Sequence, residues 1–311
     1  MARFEEIMKM RRFYKLIIAS ICLLVGIAYF IHAEYSSTRN FRTSDQQVAL
    51  KRMVKPKCMG LLFSKDPIYK SLQIAGSAYP NLKQLDDFFL ENKIAPDKVY
   101  IFNLKHKPIY YLGDHEMEWY GYRFSKTDDL EQFRQKNVWK ALFIEAEVKI
   151  YEFLHGQEID TLSKDQFAIE QVEVEKRGYH YVQPLKKGWV KDLSFIDPVV
   201  SQFEVIPADA WVYFHCARGC ARTTTFMILY DIFRNAKQSS LDEILERQYC
   251  LGGEDIANTD VWGKSTWSKE QLEARKRIAV LFYDYMTDKA GYGAQTFSAW
   301  LGKKEREDDK G

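Results

Sequence analysis

Two residues set the chemistry available to this chain, Cys216 and Arg222, with five residues between them. An apolar run over 211–214 precedes them and reads as a short buried strand, with His215 and Cys216 at its end. The loop Ala217-Arg-Gly-Cys-Ala221 turns at Gly219, and a helix-length run follows over 223–233. Strand, thiol, tight loop, arginine and helix make an anion site with a nucleophile in its floor. Loop N–H groups and the helix N-terminus converge on one oxyanion. The same positive end lowers the pKa of a cysteine placed there, so a thiolate is available at neutral pH. Arg222 returns over the loop with a planar fork that matches two phosphate oxygens. The reaction such a loop suits is phosphoryl transfer through cysteine, with Thr223 placed to hydrogen-bond the thiolate and keep it a good leaving group. A general acid on another loop would have to protonate the departing oxygen.

The surrounding elements must hold that loop. Residues 72–75 read as an alternating strand ending in a turn at Gly76-Ser77. Asn81 is a good N-cap for a helix over 82–90 with apolar positions at 82, 85, 88 and 89. An apolar strand over 99–104 follows, then the basic loop Lys105-His-Lys-Pro108. Strand, helix and strand at this spacing predict a βαβ unit with a parallel sheet. A long helical pattern covers 128–155, and residues 157–178 are charged without a clear period. A strand is expected at 179–182, a loop at 184–188 and a short helix over 194–204. The helix after Arg222 is apolar almost all round, which predicts burial in the middle of the domain. Further helices are expected over 241–247 and 269–289, and the tail after Gly302 is charged and expected to be disordered.

His-Cys-x5-Arg-Thr is the signature of protein tyrosine phosphatases. The wider context resembles one branch, the bacterial cysteine phytases, or tyrosine-phosphatase-like inositol polyphosphatases. The resemblance rests on Trp211-Val-Tyr-Phe-His-Cys216, Gly219 and Arg222-Thr-Thr-Thr-Phe-Met227. It extends to Asn40-Phe-Arg-Thr43, Ile74-Ala-Gly-Ser-Ala78, Trp119-Tyr120, Arg247-Gln248, Gly252-Gly253, Lys264-Ser265 and Trp267, roughly residues 40 to 290. It implies an α/β tyrosine-phosphatase-like fold, a central mixed sheet flanked by helices, and no cofactor. Cys216 would be the nucleophile, Arg222 the phosphate clamp, Gly219 the loop turn, and His215 the residue that orients the loop. The phosphate would lie among residues 215 to 223, the loop members being Ala217, Arg218, Gly219, Cys220 and Ala221. Three departures stand out. Ala221 replaces a glycine, which is tolerable only at negative φ. The stretch 183–188, where the family carries its general-acid aspartate, holds no acid, which leaves Asp192 and then Asp197 as the nearest candidates. The family's acidic and basic pair after a strand reads Asn103-Leu-Lys105 here.

Lys186 and Lys187 at that loop, Arg218 and Lys105 add positive charge around the thiol and favour a polyanion, an inositol polyphosphate or a phosphoinositide head group. Lys264 is either a second phosphate contact or a surface salt-bridge lysine. Cys220 is either a small core residue or a redox partner of Cys216. The Arg-Thr-Thr entry into the helix argues against a rhodanese-like sulfur carrier. Two alternatives to a phosphatase acting on small polyphosphates stay open: a degenerate relative that binds phosphorylated ligands without turnover, and a protein tyrosine phosphatase.

At 311 residues, 46% apolar and 15% aromatic, the chain can bury a substantial core. A formal charge of +2 with no long basic run excludes nucleic acid as the expected partner. Five cysteines, without a CxxC pair or His/Cys metal spacing, predict neither a metal site nor a disulfide framework. Arg3, Lys9, Arg11, Arg12 and Lys15 precede the uncharged run 16–31, the pattern of a signal or signal anchor. The organisation expected is a basic segment at 1–15, a transmembrane anchor or signal at 16–33, a linker at 34–57, a catalytic domain at 58–290 and a charged tail at 291–311. The expected location is the membrane, by a single N-terminal pass, with secretion or periplasmic release after cleavage as the alternative.

Overall fold

A computed structural model of the chain describes residues 40–44, 58, 71–106, 109–112, 115–116, 167–186, 188–259, 268–288 and 295–308. These belong to the compact unit Arg39–Lys126 with Lys164–Gly311. The candidate anchor at 16–33, the helix expected over 128–155, Trp119-Tyr120, Lys187 and Lys264 lie outside the described residues. Among the described residues no helix is long and apolar enough to cross a membrane.

Five strands form the main sheet: β1 (Arg42–Thr43), β2 (Ile74–Ser77), β3 (Val99–Asn103), β7 (His180–Val182) and β8 (Trp211–His215), in the order β1-β2-β8-β3-β7. β1 runs antiparallel to β2 and the rest are parallel, so the sheet is mixed. A second sheet of β4 (Tyr110–Leu112), β5 (His115–Glu116) and β6 (Phe167–Ile169) is antiparallel in the order β5-β4-β6. The expected βαβ unit is present, but its two strands do not pair with each other. β8 lies between β2 and β3 and bonds to both. All five residues of β8 are buried there, as its apolar sequence demands.

The side-chain period of two divides the core. Val212 and Phe214 face one side with Ile74 and Phe102, against α3 (Ile196–Glu204), α4 (Ala221–Asn235) and α6 (Lys269–Thr287). Trp211 and Tyr213 face the other with Ala75, Val99 and Ile101, against α1 (Leu82–Glu91). Asn81 caps α1 as expected, its Oδ1 accepting from the Gln84 N–H at 3.0 Å, and Leu82, Leu85 and Phe89 are buried. The near-continuous apolar circumference of α4 is explained by its place between the sheet and α6, with 12 of its 15 residues buried.

Four expectations are corrected. Residues 40–44 are not linker: Arg42 and Thr43 pair with Gly76 and Ala75, and a strand of two residues is too short to show a period. Gly76-Ser77 is not a turn but the end of β2. Gly76 is there because a Cβ would lie 2.6 Å from Met227 Sδ and 2.7 Å from Thr223 Cγ2. The tail is helical, as α7 (Phe297–Asp308), because Phe297 and Trp300 bury themselves against the core with Tyr285. Finally, a disulfide does form, between Cys58 and Cys250, which are 192 residues apart in sequence. It ties the end of α5 (Leu241–Cys250) to the segment that follows β1, a pairing that spacing alone does not reveal.

Candidate active site

The loop 216–221 begins where three parallel strands end together. Cys216 N–H donates to the Ser77 carbonyl at the end of β2 (3.4 Å), and Leu104 N–H, just past β3, donates to the His215 carbonyl (2.9 Å). Cys216 is thus fixed by backbone on both sides and is 3% exposed. Burial alone raises its thiol pKa. The Arg222 guanidinium, the Thr223 hydroxyl and the N–H groups of Arg218 and Thr223 outweigh burial, and the net shift is downward from 9.0. Thr223 Oγ1 lies 3.1 Å from the sulfur and 3.1 Å from the Ser77 carbonyl, so its one proton is divided between them.

Arg222 is half-buried, and its Nη1 donates to the Leu104 carbonyl at 2.9 Å. One bond steers the fork over the loop and leaves its remaining N–H groups for an anion. Gly219 has φ +66°, and a Cβ there would stand 2.2 Å from Ala78 N, so only glycine fits. Ala221 is the first residue of α4 and has negative φ, which removes the objection to a methyl at that position. Ala217 packs on the α1 side of the core, and Arg218 is exposed at the rim. Cys216 and Cys220 both remain thiols. Cys220 caps α4 and its sulfur donates to the Arg218 carbonyl at 3.2 Å.

His215 is fully buried, with Nε2 2.9 Å from Glu170 Oε1 but out of line for a hydrogen bond. Glu170 opens α2 (Glu170–Lys176), and its other oxygen accepts from Asn103 Nδ2 (2.7 Å) and from the Tyr181 hydroxyl (3.1 Å). A carboxylate from the end of β6 thus stands beside Asn103 at the end of β3. Burial and the Glu170 charge push the Tyr181 phenol upward, so it stays a donor. Lys105 is buried, its Nζ 5.2 Å from the Tyr79 ring centre, on the same side of the sheet as His215. Lys186 is exposed on the 183–188 loop.

Asp192 has another task. Its Oδ1 accepts from the Ser194 N–H at 2.9 Å and caps the turn before α3. That bond, helped by Lys186, lowers its pKa, whereas a general acid at neutral pH needs the opposite shift. Asp197 accepts from the Ser298 N–H at the start of α7.

Behind the loop stand Asn40 and Arg42, from the stretch 40–43 that the sequence marked without a role, and Arg275, which it did not mark. Asn40 Nδ2 donates to the Arg218 carbonyl (2.7 Å), Arg42 Nη1 to the Gly219 carbonyl (2.6 Å), and Arg275 Nη2 to the Ala221 carbonyl (2.8 Å). Three successive donors thus hold loop carbonyls outward. Arg42 Nη2 also donates to Thr224 Oγ1 (3.1 Å), and Arg275 pairs with Glu254 at 2.9 Å. Two turns further along α4, Asp231 is fully buried and accepts from Arg247, Gln248 and Asn235 at 2.7 to 3.0 Å. The quoted Arg247-Gln248 pair therefore anchors α4 rather than touching the site.

A mixed five-stranded sheet with helices on both faces and a Cys-x5-Arg loop at the end of its central strand defines the tyrosine-phosphatase-like fold. The chain has this fold, and solved structures agree. Over 86% of its length it matches the tandemly repeated protein tyrosine phosphatase-like phytase of Mitsuokella multacida (TM-score 0.59, 21% identity), spanning 46% of that chain. The Mitsuokella protein in complex with myo-inositol-(1,3,4,5)-tetrakisphosphate matches with a TM-score of 0.58 and 20% identity, again over 86% of this chain and 46% of that one. A phytase of the same type from Bdellovibrio bacteriovorus matches with a TM-score of 0.55 and 22% identity, over 86% of this chain and 92% of that one. No protein-family model matches the sequence.

The chain belongs to the family of AvrBs1.1, an uncharacterized protein of Xanthomonas campestris pv. campestris. The two are 35% identical over 95 residues, 30% of this chain and 89% of that protein, with the same values for its Xanthomonas euvesicatoria counterpart. It is also similar to the effector protein hopD2 of Pseudomonas syringae pv. tomato, 30% identical over 89 residues, which are 29% of this chain and 19% of that protein.

Proposed function

We propose that the protein is a cysteine-dependent phosphatase that cleaves phosphate monoesters of a polyphosphorylated small molecule, an inositol polyphosphate or a phosphoinositide head group. The observation that carries this reading is the buried Cys216 thiol, drawn toward ionisation by Arg222 and Thr223 at the base of an outward-braced loop. Its thiolate attacks phosphorus, the S–P bond forms, the ester P–O bond breaks, and the departing alkoxide takes its proton from solvent water. Loop N–H groups and Arg222 hold the equatorial oxygens. Water then attacks the phosphocysteine, releasing phosphate and the thiolate, with Thr223 stabilising the departing sulfur. Exposed Arg218 and Lys186 favour a ligand with more than one phosphate, and the inositol tetrakisphosphate held by the structural relative supports the same ligand class. With residues 16–31 as an anchor, lipid head groups come within reach, and the Cys58–Cys250 disulfide supports a location across the membrane from the basic end.

A specific observation favours a second reading, ligand binding without turnover: no carboxylate stands among residues 183–186 and 188, and Asp192 is engaged as a cap. Phosphate release from inositol hexakisphosphate, from an activated aryl phosphate and from a phosphotyrosine peptide separates the readings. The expected result is release from the inositol ester, abolished by Cys216→Ser with retention of ligand binding. Release from the phosphopeptide alone would make it a protein phosphatase. Binding of phosphate analogues with no release from any substrate would establish the second reading.

A further inference from the structure

Arg42 is 2% exposed and lies behind the loop, on the side away from solvent. Its guanidinium donates to the Gly219 carbonyl, the Asn40 carbonyl (3.3 Å) and Thr224 Oγ1, all neutral acceptors. Its buried Nε has no acceptor. Among the described residues no carboxylate is within hydrogen-bonding distance of it. Arg275 is also buried behind the loop but carries Glu254 against it. A buried cation without a counter-ion is costly, and proteins rarely keep one unless an anion is supplied. Burial draws the Arg42 pKa down, and four nearby groups work against it, the loop cysteines Cys220 and Cys216, then Glu254 and the Tyr213 phenol. Two of these four belong to the anion cradle.

We infer that Arg42 is a positioning residue whose counter-ion is the occupied site itself: it holds the Gly219 carbonyl outward and supplies fixed positive charge through the loop to the Cys216 thiolate and a bound phosphate. This rests on the reading of the loop as a phosphate site. Arg222 then grips the anion from the front while Arg42 acts on it from behind, without touching it. Asn40 completes the brace from the same strand end: it sits at φ +54°, a left-handed conformation asparagine tolerates, with its amide on the Arg218 carbonyl.

Charge and hydrogen bonding are separated by Arg42→Gln, which keeps a donor and loses the charge, and Arg42→Lys, which keeps the charge and loses the fork. The probe is alkylation of Cys216 by uncharged iodoacetamide across pH, located by peptide mass, with inorganic phosphate as protectant. Neither needs turnover. The expected result is that Arg42→Gln moves the alkylation midpoint up by about one pH unit and weakens phosphate protection about tenfold, while Arg42→Lys stays near the wild type. Equal behaviour of the two variants overturns the inference and leaves a purely structural arginine. An ordinary thiol and no phosphate protection in the wild type would instead sink the phosphatase reading, and this inference with it. Should Arg42→Gln fail to fold, Glu254→Gln tests the same field with the opposite sign. Its midpoint should fall, and an unchanged midpoint overturns the inference.

Discussion

Cys216 shows how opposing effects settle at one atom. Burial of a thiol favours the neutral form, and a sulfur 3% exposed would be inert if burial acted alone. The sign reverses because a guanidinium, a hydroxyl and two N–H groups face the sulfur. Its reactivity toward alkylation should therefore begin below the ordinary thiol range and stay level above it. Thr223→Val removes the hydroxyl but keeps the shape. A hydrogen bond to a charged group contributes about 1.5–3 kcal/mol, and this proton is shared with the Ser77 carbonyl, so the lower end applies. The alkylation midpoint should rise by about one pH unit, with turnover falling most below that midpoint. A variant whose midpoint does not move would show that the Thr223 proton stays on the backbone carbonyl.

The loop depends on what the neighbouring elements leave room for. Gly219 passes within van der Waals contact of the β2 end, and any Cβ there meets the backbone at Ala78 and Ser77. Gly219→Ala should therefore cost more than about 2 kcal/mol, from the left-handed conformation and the collision together. Thermal denaturation would read the loss, and phosphate protection of Cys216 should vanish while the sheet persists. Unaltered protection would mean that the loop can move away from β2. The strand, loop and helix around Cys216 were legible in the sequence because they carry strong periods and a dense motif. So were α1, through its Asn81 cap, and the apolar circumference of α4. The brace behind the loop was not. Arg42 lies on a two-residue strand in a polar segment with Asn40 just before it, and Glu170 lies in a charged stretch without a period. Their roles come from partners far away in sequence, 178 residues for Asn40 and 177 for Arg42. Asp192 was misleading for the complementary reason: proximity in sequence suggested an acid, while the local turn uses its carboxylate as a cap.

Taken together, the molecule makes opposite redox demands on its cysteines. Cys216 is a free thiol, while Cys58 and Cys250 are joined. Removing a native disulfide typically costs about 2–5 kcal/mol. Cys250→Ser should lower the thermal midpoint, and strong reductant should lower that of the wild type by a similar amount without affecting the variant. If reductant destabilises both equally, the link contributes nothing. The order of the sheet has a further consequence, in time rather than in space. β2 and β3 are synthesised well before β8, yet they join one sheet only when β8 enters between them. The slot stays open until residues 211–215 have been made, and the brace is incomplete until Arg275 follows. Pairings this distant in sequence form late and slowly. A nascent chain therefore holds neither Cys216 nor the strand that closes the gap between β2 and β3 until β8 has been made.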